Sequence, residues 1–173
     1  QLIGVTAAIE SASQANAGIG FAIPSNLVQK IVPVLIKTGS YSHPYLGISG
    51  FSLTPEIAQA MKLDSNQKGA LVKEVTPGGP ADKAKIQGSD NQVTIDGSKV
   101  LVSGDVITAI DGQPIKSMDD LISYLFNQTE VGQKITLTLL RDGREMKVEV
   151  TLEARPAATT TSRAQDSQQN PSN

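Results

Sequence analysis

Tyr45-Leu46-Gly47-Ile48-Ser49-Gly50-Phe51 reads as a loop entering a strand, and the rest of the chain is arranged around it. Gly47 has no Cβ, so its backbone can take a positive φ and come close to another chain. Leu46 and Ile48 flank it with apolar side chains. Such a loop can point successive N–H groups at one place, a nest suited to a carboxylate. If the strand from Ile48 to Phe51 is a sheet edge, an extended peptide can pair with it while its C-terminal carboxylate sits in the nest. The tetrapeptide Tyr45–Ile48 also suits an ordinary strand entry, so the flanking sequence has to decide.

Upstream, Leu2 to Ile9 reads as a strand, and Gly18-Ile19-Gly20-Phe21-Ala22-Ile23 as a second one ended by Pro24. Ser25 is placed as the N-cap of a helix to about Lys37. Its expected buried stripe is Leu27, Val28, Ile31, Val32, Leu35 and Ile36, with a kink or tightened turn at Pro33. Gly39 suits the helix end. Ser40 to Pro44 is a linker.

Downstream, Thr54-Pro55 opens a short helix to about Met61. A strand covers Gly69 to Val75, a turn Pro77 to Pro80, and a brief helix Ala81 to Ala84. Gln87 to Ser103 is polar with a hairpin signal around Asp96-Gly97. Val106 to Ile110 is a strand. Ser117 with Asp120 three residues on is a variant capping box, opening a helix to about Asn127. Ile135–Leu140 and Met146–Leu152 alternate around Asp142-Gly143, the strongest hairpin signal in the chain. From Ala154 the sequence has no apolar pattern and reads as disordered.

Composition narrows the function classes. The 173 residues carry a formal charge of −2, which gives no electrostatic case for nucleic acid. No run of about 18 apolar residues is present, so no membrane-spanning helix is expected. Cysteine is absent, which removes disulfides, thiolate metal sites and a Cys nucleophile. No cofactor motif and no His/Cys/Asp cluster at metal spacing occurs. Asp64, Asp90, Asp96 and Asp105 are scattered in loops, where turn chemistry accounts for them. His43, the one histidine, reads as part of an inert linker. The chain begins at Gln1 rather than Met and opens on a strand-like run, as expected of a piece of something longer.

The second unit carries, in order, Tyr45-Leu46-Gly47-Ile48, Pro77-Gly78-Gly79-Pro80-Ala81-Asp82-Lys83-Ala84, Gly104-Asp105-Val106-Ile107, Ile110-Asp111-Gly112-Gln113-Pro114-Ile115 and Arg141-Asp142-Gly143. This series resembles a PDZ domain in the circularly permuted arrangement of bacterial-type HtrA/Deg serine proteases. Leu2 to Ala7 with Gly18 to Pro24 resembles the last strands of that family's trypsin-like protease domain. The implied fold is mainly β with short helices (α+β): a permuted PDZ domain preceded by the last strands and helix of a trypsin-like β-barrel. The implied division is a protease-domain piece at 1–39, a linker at 40–44, the PDZ domain at 45–154 and a disordered tail at 155–173.

The resemblance also implies residue roles. Tyr45, Leu46, Gly47 and Ile48 would receive a peptide carboxylate. Ser49, Gly50 and Phe51, with Met118, Ile122 and Leu125 of the last helix, would form the groove, Ile122 on its floor and Leu121 in the core. Helix geometry puts Met118, Ile122 and Leu125 on one face. Ile19, Gly20 and Phe21 resemble a substrate-pocket wall. The family's Gly-Asn-Ser-Gly-Gly nucleophile motif, and its catalytic His and Asp, do not occur here, so no catalytic residue, metal or cofactor is expected. The implied partners are protein or peptide C-termini and unfolded polypeptides, with a homo-oligomeric, extracytoplasmic parent protease active in protein quality control. A stand-alone adaptor or assembly module is the competing reading. Two departures stand out: Ala84-Lys85-Ile86 lacks the family's helix-ending Gly, and Gln87–Ser103 resembles insertions in some Deg branches. Together they predict a different exit from that helix.

Overall fold

The computed structural model describes residues 3–10, 19–95 and 97–156, with the side chains of residues 7–10 and 19–21 outside that description. The expected tail from Arg155 therefore lies outside the described residues from 157 onward.

Strands β1 (Gly4–Glu10) and β2 (Ile19–Pro24) form an antiparallel hairpin, followed by helix α1 (Ser25–Thr38). Ser25 is the first helical residue and not the cap: its N–H donates to Ile3 O, and Pro24 at the cap position makes no side-chain bond. Pro33 lies inside the helix, and Gly39 ends it at φ +74°. The expected buried stripe is not buried. Leu27, Val28 and Ile31 are half-buried, whereas Val32, Leu35 and Ile36 are exposed. Its periodicity is helical, but the described residues supply no surface to cover it.

Among the described residues, the second unit is built on an antiparallel sheet of six strands. Its path is β11 (Arg144–Thr151), β10 (Lys134–Arg141), β8 (Val106–Ile110), β5 (Ala70–Val75) and β4 (Ile48–Ser52), with β9 (Gln113–Pro114) also on β8. Among the described residues, β4 has a strand neighbour on one side only. At the chain ends of the unit, β3 (Pro44–Tyr45) pairs with β12 (Glu153–Ala154).

Each turn has a chemical cause. Asp142-Gly143 and Asp111-Gly112 both have positive φ at both residues, the requirement of a type I′ turn. Helix α2 (Pro55–Ala60) is capped by Thr54 Oγ1, which accepts from Ile57 N–H. Helix α4 (Met118–Gln128) is capped by Ser117 Oγ, which accepts from Asp120 N–H at 3.1 Å; Asp120 reaches back to Lys116 N–H at 3.0 Å. Helix α3 (Pro80–Lys83) leaves through Lys85 at φ +61°. The different exit expected there is therefore corrected: lysine itself adopts the left-handed conformation that glycine would take without strain.

The two sheet faces bury two clusters. One, under α4, contains Leu46, Ala70, Val72, Ile107, Leu121, Leu137 and Leu152. The other contains Leu53, Ile57, Ala58, Leu71, Val102 and Val106. The inserted segment forms a separate hairpin, β6 (Asn91–Ile95) and β7 (Ser98–Val102), and its Val93, Ile95 and Val100 pack on this second cluster. Asp105 is not a turn residue of the kind expected. Its side chain is fully buried, accepts from Gln87 N–H and is paired with Arg141. Asp64 does serve a turn, accepting from Asn66 N–H, and Asp96 lies outside the described residues.

Candidate peptide groove

The site is built where β4, the free edge of the sheet, runs beside α4. The loop Tyr45–Gly47 closes one end. At the other end Met118 N–H donates to Ser52 Oγ at 3.0 Å, tying the first turn of the helix to the end of the strand.

Backbone geometry sets what the loop presents. Leu46 C=O accepts from Ala81 N–H at 2.9 Å, and Gly47 C=O accepts from Thr76 N–H at 2.8 Å. In a trans peptide unit the N–H points opposite to the preceding C=O. Anchoring those two carbonyls on one side therefore turns the N–H groups of Gly47 and Ile48 to the other. Gly47 has φ +82°, the left-handed residue that lets consecutive N–H groups share one side. Among the described turn and loop hydrogen bonds, none is donated by the N–H of Leu46 or Gly47. A Cβ on Gly47 would also lie 3.3 Å from Pro80 Cδ.

The apolar lining follows the two periods. Leu46 is buried in the first cluster, and Ile48, Met118 and Leu125 are partly buried against it. Leu121 is 1% exposed, a core residue. Ile122 is 42% exposed and is not among the side chains packed on that cluster. Strand alternation separates the other positions. Phe51 packs on the second cluster across the sheet, and Ser49 Oγ reaches Glu74. Ser49 and Phe51 thus offer the groove their backbone only. Gly50 is fixed by a register shift: a Cβ there would lie 2.1 Å from Leu71 O. Ile19, Gly20 and Phe21 lie in β2, outside this second unit, and their side chains are outside the described residues.

Three contacts around the groove had no sequence signal. Lys30 of α1 donates to the carbonyls of Phe126 at 3.2 Å and Thr129 at 2.9 Å, satisfying the C-terminal end of α4. The His43 ring lies 4.9 Å from both the Tyr41 and the Phe126 rings, and His43 C=O accepts from Arg155 N–H. His43 in the linker is therefore packed against Phe126 of α4. Tyr45 and Thr76 pair their hydroxyls at 2.9 Å.

Residues 44–152 match the PDZ domain family. The chain is 39% identical over 153 residues to periplasmic serine endoprotease DegP of Escherichia coli (strain K12), which covers 88% of this chain and 29% of that protein. It is also 39% identical over 153 residues to periplasmic pH-dependent serine endoprotease DegQ of the same organism, covering 88% of this chain and 30% of that protein. Among solved structures, "HtrA-type protease AlgW with decapeptide" superposes with a TM-score of 0.68 at 31% identity, covering 90% of this chain and 43% of that one. The chain thus spans under a third of the length of these two sequence relatives.

Proposed function

The chain belongs to the PDZ domain family, and from that premise we propose that it captures protein and peptide C-termini in the groove between β4 and α4. The observation that carries this reading is the pair of N–H groups at Gly47 and Ile48, turned to one side by the anchored carbonyls of Leu46 and Gly47. They receive the carboxylate. The free edge of β4 pairs with the peptide backbone from Ile48 to Phe51. Leu46, Ile48, Met118 and Leu125 hold the terminal apolar side chain, and Ile122 covers it from the lip.

This module serves an HtrA/Deg-like serine endopeptidase that acts on unfolded polypeptides, works as a homo-oligomer and resides outside the cytoplasm. Support comes from the similarity to relatives named as periplasmic serine endoproteases and from the match of PDZ and preceding segment together. The proposed domain division is 1–39, 40–44, 45–154 and 155–173, with Pro44 joining the last strand of the PDZ unit through its pairing to Ala154 and Arg155 N–H bonded to His43 C=O.

The test is fluorescence anisotropy with one apolar-ended peptide as free acid and as C-terminal amide. Charge-assisted bonds to the carboxylate are worth about 1.5–3 kcal/mol, so amidation weakens binding by roughly ten- to a hundredfold. Equal affinity for acid and amide rules out carboxylate capture.

A further inference from the structure

We infer that Thr76 is a positioning residue for the carboxylate loop, acting through Gly47 and Tyr45 together; this rests on the carboxylate-capture reading above. Thr76 follows Val75, the partner of Ile48 in the β4–β5 ladder, so it stands across from the loop. Three of its groups are committed there. Its N–H donates to Gly47 C=O at 2.8 Å, its hydroxyl meets Tyr45 OH at 2.9 Å, and its C=O accepts from Gly79 N–H at 3.0 Å.

Each bond restrains a different part of the loop. The N–H fixes the plane of the Gly47–Ile48 peptide unit, and with it the direction of the Ile48 N–H. The hydroxyl pair holds the Tyr45 ring against the same glycine, its Cε1 3.5 Å from where a Gly47 Cβ would stand. The carbonyl bond closes the turn Thr76-Pro77-Gly78-Gly79, with Pro second and Gly78 third at φ +73°, the pattern of a type II turn. Pro77 also biases Thr76 toward extended backbone. Thr76 is itself exposed, so burial does not account for these bonds. A loop held in its receiving geometry before the ligand arrives avoids an ordering cost on binding.

The backbone bond survives any substitution except proline, so the hydroxyl is the part that can be tested. In the full chain, Thr76→Val keeps the shape and removes the hydroxyl. Anisotropy is read with the free-acid and amide forms of one peptide. The wild type prefers the acid. In Thr76→Val the acid-to-amide preference falls roughly three- to tenfold while amide affinity and Tm hold. Thr76→Ser restores the preference, Tyr45→Phe reproduces the loss, and the double variant Thr76→Val/Tyr45→Phe is no worse than either single one. If Thr76→Val does not fold, Tyr45→Phe gives the same reading from the other side of the pair. An unchanged preference overturns the inference. So does an equal weakening of acid and amide, or a failure of Thr76→Ser to rescue. A wild type without acid preference instead brings down the carboxylate reading itself, a separate outcome.

Discussion

Arg141 holds both oxygens of the Asp105 carboxylate, Nε on Oδ1 and Nη2 on Oδ2, at 2.7 Å each. Nη2 also donates to Lys85 C=O at 2.9 Å, so the same guanidinium links β10, the start of β8 and the exit of α3. The hydrogen bonds to Asp105 raise the Arg141 pKa further above its ordinary value, against a smaller opposing effect of burial. Arg141→Leu leaves a fully buried carboxylate with its backbone donor alone, and removing one partner of a buried pair costs about 3–5 kcal/mol. Urea denaturation should show a loss at the lower end of that range, because the Arg141 side chain is 23% exposed. A loss under about 1 kcal/mol would place the pair with ordinary surface bridges.

Neighbouring positions on α4 should behave in opposite ways. Leu121→Ala opens a cavity in the first cluster and should cost about 2–5 kcal/mol. Ile122→Lys should leave the thermal midpoint nearly unchanged, because that side chain is 42% exposed. It should weaken binding of apolar-ended peptides more than about tenfold, from lost apolar contact and a buried charge. Circular dichroism melts beside anisotropy separate the two effects. Unfolding of Ile122→Lys would return that face to the core.

Lys85 sits at φ +61° with a Cβ, a conformation that costs an L residue about 1–2 kcal/mol. Lys85→Gly relieves this but adds freedom to the unfolded chain. A net gain of about 0.5–1 kcal/mol is expected from chemical denaturation, with Arg141 still bonded to the backbone C=O of residue 85. A destabilised variant would show that the lysine side chain contributes more than its conformation costs.

Alkaline stability should depend on Tyr124. Its pKa is raised, chiefly by burial and then by the negative charge of Asp111, on whose Oδ2 its hydroxyl donates at 3.3 Å. A folded pKa above the unfolded value of 10.0 means that the unfolded chain ionises first. The stabilisation is complete below pH 10 and is lost as pH rises through the folded value. The Tm of the wild type should therefore fall more steeply above pH 10 than that of Tyr124→Phe. Parallel curves for the two proteins would remove Tyr124 from the alkaline response.

The turns and the caps of α2 and α4, unlike the expected Ser25 cap of α1, were legible because each rests on a residue whose chemistry acts locally. Asp142-Gly143, Thr54-Pro55 and Ser117 with Asp120 all do in the structure what their side chains favour in isolation. Helical spacing gives the face of Ile122 but not how far the opposite strand stands from it, so its depth in the groove was not legible. Asp105 was taken for a turn residue because its partner Arg141 lies 36 residues away. Thr76, Lys30 and His43 escaped for the same reason: each acts on atoms far along the chain, and two of them on backbone carbonyls that no side-chain pattern reveals. The helix α1 stripe shows the converse, a legible period whose counterpart is not among the described residues.

The pairing of Glu153 with Tyr45 and of Ala154 with Pro44 brings the unit's two chain ends together at one pole. Antiparallel pairing with β4 would send a captured polypeptide away from that pole, its body emerging past Ser52 and Met118. In the proposed mode, whatever is joined before Pro44 or after Ala154 would hang at the end where the captured chain terminates. The unit would hold its cargo by the tail, pointing outward from its own tethers.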